Sequence, residues 1–285
     1  MRFVPDHVTA LYFTNAFQLL SERQRVRYTQ LHGCYVNEQI MFFERALVPS
    51  ALGDPERYHL PEHLRTAMKR FLEQEQRHAA MFEALNRRCA PELYADTDFY
   101  FIRPRMAWNT ILRVMAREIH LFPVFLWLML LQEERSIAWS RTLLTAHDRL
   151  DGRFVDVYRL HLAEEVQHVR WDELMLDHFW PRTRPWLKPF NARLLGWFIR
   201  EFQTVPKRAG VRIIRRLVRE FDDLEIHRRR MECELQQLAR NTPYLDSLYG
   251  RDITPRTYAR FDRTPEFAVR EGIIHGYQPR AREPL

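Results

Sequence analysis

Apolar residues recur along this chain at helical intervals and nowhere with the period of two that a half-buried strand requires. The stretch 21–48 opens on Ser21 and Gln24 in capping-box spacing and carries Ile40, Met41, Leu47 and Val48, which predicts a long first helix ending before Pro49. Gly53 and Pro55 mark a loop between Pro49 and Pro61, and Pro61 suits the first turn of a second helix striped by Leu64, Met68, Phe71, Phe82 and Leu85. After a loop over 89–104, a third helix is predicted over 106–131, with Ile111, Val114, Met115, Leu121, Phe122 and Phe125 as its stripe and a kink at Pro123. A shorter helical stretch follows over 134–147. Asp151 then begins a fourth long helix bearing Phe154, Val157, Tyr158, Met175 and Phe179, which stops before Pro181. Further helices are expected over 190–203 and 209–240. The predicted fold is all-α: a bundle of four long helices with additional flanking helices. Residues 1–240 are read as one helical domain, and 241–285 as a loop-rich extension packed on it.

Composition narrows the function. The 285 residues suit a sizeable core, with 46% apolar and 28% charged positions. Only eight glycines occur, none spaced as G-x-G, which excludes nucleotide-binding loops of the Rossmann and P-loop kinds. The net charge is +7, and from Arg200 onward 18 basic residues face 13 acidic ones. Because acids such as Asp222, Asp223 and Glu225 are interleaved there, nucleic acid is not the expected partner. Cys34, Cys89 and Cys233 form neither a disulfide framework nor a C-x-x-C zinc knuckle, which suits a reducing, cytoplasmic location. Asp6, His7 and Asn15 interrupt any signal-peptide pattern. The longest apolar run, 121–131, contains Pro123 and falls short of the roughly 20 residues of a membrane span.

Chemistry enters with a repeated unit. A helix turns about 100° per residue, so residues three apart, such as Glu75 and His78, lie on one side. Glu165 and His168 repeat the unit in the string HLAEEVQH, which adds His161 on the same arc. The first and third helices each place one carboxylate, Glu44 and Glu118, where an apolar stripe would otherwise continue; Glu38, six residues before Glu44, competes for the first position. No Arg or Lys stands on these stripes, and a buried carboxylate without compensation does not stay ionised. Two divalent cations would balance four carboxylates. One Glu from each of two helices, with Glu-x-x-His from the other two, is the ligand pattern of di-iron helical bundles. The expected metal ligands are therefore Glu44, Glu75, His78, Glu118, His161, Glu165 and His168. Iron is the expected metal and manganese the alternative, and coordination positions left open by protein would receive dioxygen.

At these residues the chain resembles the p-aminobenzoate N-oxygenase family. The resemblance rests on NEQIMFFE, ending at Glu44; EQEQRH, with Glu75 and His78; MAREIH, with Glu118; and the string from His161 to His168. It covers roughly residues 37–170, and its three-histidine set is the specific part. In the family pattern the later Glu of the first string is the ligand, which favours Glu44 over Glu38. The resemblance implies a ferritin-like fold and a reduced di-iron cluster that uses dioxygen as co-substrate to oxidise a small organic molecule, with nitrogen the usual target. Carbon hydroxylation or desaturation, hydrolysis and iron oxidation are the competing activities. An electron donor and a second copy of the chain are the expected partners. Gln74 and Glu164, each preceding a ligand Glu, depart from the family pattern and should alter hydrogen bonding around the ligands. Glu38, Glu164 and Asp172 are candidate hydrogen-bond partners of the ligands, and Phe42, Phe43, Trp108, Phe122 and Phe125 are candidate pocket residues.

Overall fold

The computed structural model describes residues 1–103, 106–270 and 272–278, without the side chains of 106–108 and 202–207. Ser21 accepts a hydrogen bond from the Gln24 N–H, and the Gln24 side chain accepts one from the Ser21 N–H, so the expected capping box starts α1 (Glu22–Phe42). Instead of continuing as α-helix to Val48, the chain widens into a π-helical turn, Phe43–Leu47, before α2 (Val48–Leu52). Pro61 caps α3 (Glu62–Cys89), which is followed by the short α4 (Pro91–Tyr94).

The predicted third helix is two helices. α5 (Met106–Arg117) stops, and α6 (Val124–Thr145) begins with Pro123 as its N-cap. Proline has no N–H to donate, and here the chain turns: the N–H groups of Leu121 and Phe122 both bond the Glu118 carbonyl, at 2.9 and 2.8 Å. The expected stripe fails with it. Ile111, Val114 and Leu121 are 48%, 60% and 36% exposed, while Leu112, Ala116 and Ile119 face inward. α6 also runs unbroken through the gap expected before residue 134.

Asp151 caps α7 (Gly152–Arg182) by accepting from the Arg153 N–H, and the helix includes Pro181 in its last turn. α8 (Leu187–Glu220) is continuous where two helices were expected. It ends ahead of a 3-10 stretch, Asp222–His227, whose aspartates favour turns, and α9 (Arg228–Gln237) follows. The tail expected to be loop-rich holds α10 (Thr242–Tyr249), α11 (Pro255–Arg263) and α12 (Pro265–Ala268). Among the described residues there is no strand; one isolated bridge pairs Arg2 with Leu150.

α6 packs along α7, α7 along α3, and α3 along α1, giving the four-helix frame; α8 lies against α1 and α6. Positions 124–131 of α6 are buried on every side, so this helix forms the axis of one apolar core. The C-terminal segment closes that core: the Trp127 ring lies 5.4 Å from Phe261 and 4.6 Å from Phe267. Glu134 fastens it by accepting from the Arg256 and Thr257 N–H groups at 2.7 and 2.8 Å, at the start of α11. No helix among the described residues is long and apolar enough to cross a membrane.

Phe261 is fully buried between Trp127, Phe267 and Tyr277. Phe261→Ala should therefore lower stability by about 3–5 kcal/mol in a urea titration, the range for emptying an aromatic site in a packed core.

Candidate metal centre

Where α1 gives way to its π-helical turn, the extra residue per turn rotates Glu44 into the bundle, a use of π-bulges common at functional sites. α3 supplies Glu75 and His78 one turn apart, and α7 supplies His161, Glu165 and His168 over two turns. These side chains are almost wholly buried. They form two overlapping groups that share His78: Glu75, His78, Glu165 and His168 in one, Glu44, His78 and His161 in the other, with the donor atoms of each group within 4.8 Å of one another.

The contacts are close. His161 Nε2 lies 2.7 Å from Glu165 Oε1 and 3.5 Å from Glu44 Oε1. His168 Nδ1 lies 3.0 Å from Glu75 Oε1, and His78 Nδ1 stands 3.4 Å from both Glu75 Oε1 and Glu165 Oε1. Despite this proximity, Glu44 Oε2, Glu75 Oε1, both Glu165 oxygens and the inner nitrogens of all three histidines have no hydrogen-bond partner. Buried polar atoms are almost always satisfied. Seven inward-facing orphans at one point form a donor set that could hold metal ions.

The carboxylate that approaches the cluster from α6 is Glu133, whereas Glu118, expected there, stands apart from it. Glu133 is 4% exposed, and its Oε2 lies 3.8 Å from His168 Nδ1. Glu118 stands in the turn after α5, half-buried, where Arg57 and His120 take its carboxylate. The difference from the expected position follows from the helix break, which moves the inward position of this segment beyond Pro123. Glu133 escapes a stripe-based search because Gln132, Glu133, Glu134 and Arg135 read as a solvated patch. The available signal was the fully apolar run just before it, since a helix buried all round offers an acid no water.

The outer nitrogen of each histidine is also held. His78 Nε2 lies 2.8 Å from Glu164 Oε2, His168 Nε2 lies 3.0 Å from Gln74 Oε1, and His161 Nδ1 lies 3.4 Å from the Ser136 hydroxyl. A carboxylate only accepts, so the His78 proton belongs on Nε2, and an amide oxygen sets His168 likewise. With a metal bound, both rings would then turn a neutral Nδ1 lone pair inward, the form a metal ligand needs. Gln74 and Glu164, the departures from the family pattern, are thus the groups that orient the imidazoles. Asp172 is buried, but neither of its oxygens has a partner, and the imidazole beside it bonds Gln74 instead.

Glu38 does other work. It accepts from the Tyr94 hydroxyl at 2.7 Å and from the N–H groups of Tyr100, Phe101 and Ile102 at 2.8, 2.9 and 2.7 Å, which ties the loop before α5 to α1. The rings against the histidines are also not the expected ones. Phe71 lies 4.2 Å from His168, Phe82 lies 4.8 Å from His161, and Trp171 stacks on His168 at 5.7 Å. Phe122 instead meets Phe190, and Phe125 meets Phe198. Phe43 is buried next to Glu44, Phe42 is half-buried, and the Trp108 side chain lies outside the described residues.

Electrostatically the site is a standoff. Burial, followed by the charges of Glu75 and Glu133, holds Glu44 well above the ordinary carboxylate range; burial and Glu133 do the same to Glu165. Burial works against ionisation of Glu75 as well, yet the adjacent imidazoles of His168 and His78 bring it below that range. Burial lowers His168, but Glu133 and Glu75 carry it up to about 9, whereas burial and the other two histidines keep His161 well below its usual value. Among the described residues, the ion-pair contacts of Glu44, Glu75, Glu133 and Glu165 are all with these histidines.

Compared with known families, residues 1–241 match the model described as P-aminobenzoate N-oxygenase AurF. The chain belongs to this family. Membership in the P-aminobenzoate N-oxygenase family makes the bundle ferritin-like and its centre that of a di-iron fold. Comparison with curated proteins and with solved structures gave no match.

Two outcomes follow. In metal titrations, Glu133→Ala should lose at least one of two bound ions while Glu118→Ala keeps both; the reverse pattern would restore Glu118 to the ligand set. For the metal-free protein, Glu44, Glu165 and His168 hold protons that the unfolded chain releases, so stability should fall as pH rises from about 7 to 9, above the range where the lowered His161 and His32 offset that loss. Metal binding needs the deprotonated ligands, so the rise in Tm on adding Mn2+ should widen over the same range, and a constant gap would contradict the site.

Proposed function

We propose that this protein is a di-iron N-oxygenase that uses dioxygen to oxidise the nitrogen of an amine in a small organic substrate. The observation that carries the reading is the cluster of three carboxylates and three imidazoles in two overlapping groups around His78, with a fourth carboxylate, Glu133, beside His168, within a family of N-oxygenases. The donor set fits two iron ions: four anionic oxygens match two divalent charges, and the third histidine adds a nitrogen to an otherwise oxygen-rich shell. When bound, the pair supplies the redox capacity to activate dioxygen.

The chain's own residues do the rest. Glu164 and Gln74 fix the protons on the outer nitrogens of His78 and His168, so both imidazoles present lone pairs in fixed directions. Phe71 and Phe82 lie against His168 and His161 and, with the near-complete burial of the donors, exclude bulk water from the centre. Reduction equivalents come from an external electron donor, since four Glu and three His contain no redox group of their own.

The test uses ferrous protein and a panel of arylamines, following oxygen uptake and product together. N-oxidised product in proportion to oxygen consumed, and none with zinc in place of iron, supports the reading; substrate turnover without oxygen defeats it. Glu164→Ala should lower metal affinity about 10–100-fold, the usual cost of removing a carboxylate behind a ligating histidine, with the bundle still folded by circular dichroism.

A further inference from the structure

The basic excess of the last third of the chain gathers on α8. Arg212, Arg215, Arg216 and Arg219 stand at i, i+3, i+4 and i+7, one face of the helix, while Ile213, Ile214 and Leu217 are fully buried on the other. The loop before α5 brings Tyr100 and Arg103 to the same face, and the six residues enclose a cleft of about 190 Å3. Its floor is fixed. Arg212 Nη1 donates to the Phe101 carbonyl, and the Phe101 N–H is gripped from the other side by Glu38.

Five guanidinium groups therefore converge, and among the described residues two of them are held in ion pairs. Arg215 uses Nε on Glu232 at 2.9 Å, and Arg216 uses Nε on Glu220 at 2.7 Å. Among the described residues, Arg103 and Arg219 have neither an ion pair nor a hydrogen bond. Burial first, and then Arg103, Arg208 and Arg215, hold the Arg212 guanidinium below its ordinary value, which records the repulsion inside the cluster. Such crowding is unfavourable until an anion enters.

We propose that this cleft binds a phosphate or diphosphate group carried by a soluble small molecule, at a site separate from the metal centre. Guanidinium forks match phosphate oxygens two by two, which a lysine cannot do, and the concave form suits a compact dianion. An extended polyanion fits badly, because Asp222, Asp223 and Glu225 follow directly after the arginine face and would repel it. The inference stands on α8 and the Glu38-held loop and does not depend on the proposed oxidation.

Calorimetric titration of the iron-loaded full chain with inorganic pyrophosphate, at ionic strength held constant with chloride, tests it. One saturable site is expected. Arg103→Glu/Arg219→Glu breaks no internal bond and should weaken binding about tenfold or more, given the strength of hydrogen bonds to charged groups. The neutral pair Arg103→Gln/Arg219→Gln should give a smaller loss in the same direction, and Glu133→Ala should leave pyrophosphate affinity unchanged. No saturable binding, equal affinity in the folded variants, or binding only to phosphatidylcholine vesicles doped with phosphatidic acid would each overturn the proposal.

Discussion

Buried negative charge is the constraint around which this bundle is organised. Four glutamates and Asp172 are almost wholly withdrawn from water, and their neighbours are histidines and aromatic rings rather than arginines. Stripping water from one ionised carboxylate costs several kcal/mol even after the protein relaxes. Clusters of acid without compensation are correspondingly rare, and the imidazoles cannot supply it alone, because their inner nitrogens would have to be protonated where His161 resists protonation most. Divalent cations resolve the conflict. Bound ions would turn four buried glutamates and three imidazoles into a coordination shell, so that the free energy of metal binding would become part of the stability of the fold.

The helices are shaped to serve that shell. A π-helical turn breaks the register of the first helix at Glu44, and a proline break between α5 and α6 lets the following helix pass through the core with Glu133 facing the centre. The adjacent Glu134 points away and anchors α11, so consecutive acids hold the metal site on one side and the C-terminal cap on the other. The same economy appears on α1: Glu44 faces the centre, while Glu38, six residues earlier, secures the loop that floors the arginine cleft.

What could be read from the sequence was what is local and periodic. The capping box at Ser21, the cap at Asp151, and the Glu-x-x-His pairs with His161 depend only on residues within two helical turns, and the described structure brings all five donors of α3 and α7 together. Glu118 lies away from the cluster because the helix expected to run through Pro123, which would have carried its side chain inward, is broken there. Glu133 was hidden for the opposite reason: around a helix buried on every face, the apolar contrast that marks an inward position vanishes. The π turn, too, leaves no trace in a 100° periodicity, and the rings on the histidines, Phe71 and Phe82, looked like ordinary core because they are core as well.

The most direct test of the central claim is a crystal of iron-loaded protein with anomalous differences measured at the iron edge. Two peaks are predicted among Glu44, Glu75, Glu133, Glu165 and the inner nitrogens of His78, His161 and His168. A single peak elsewhere, or carboxylates turned away around density without iron, would contradict the account.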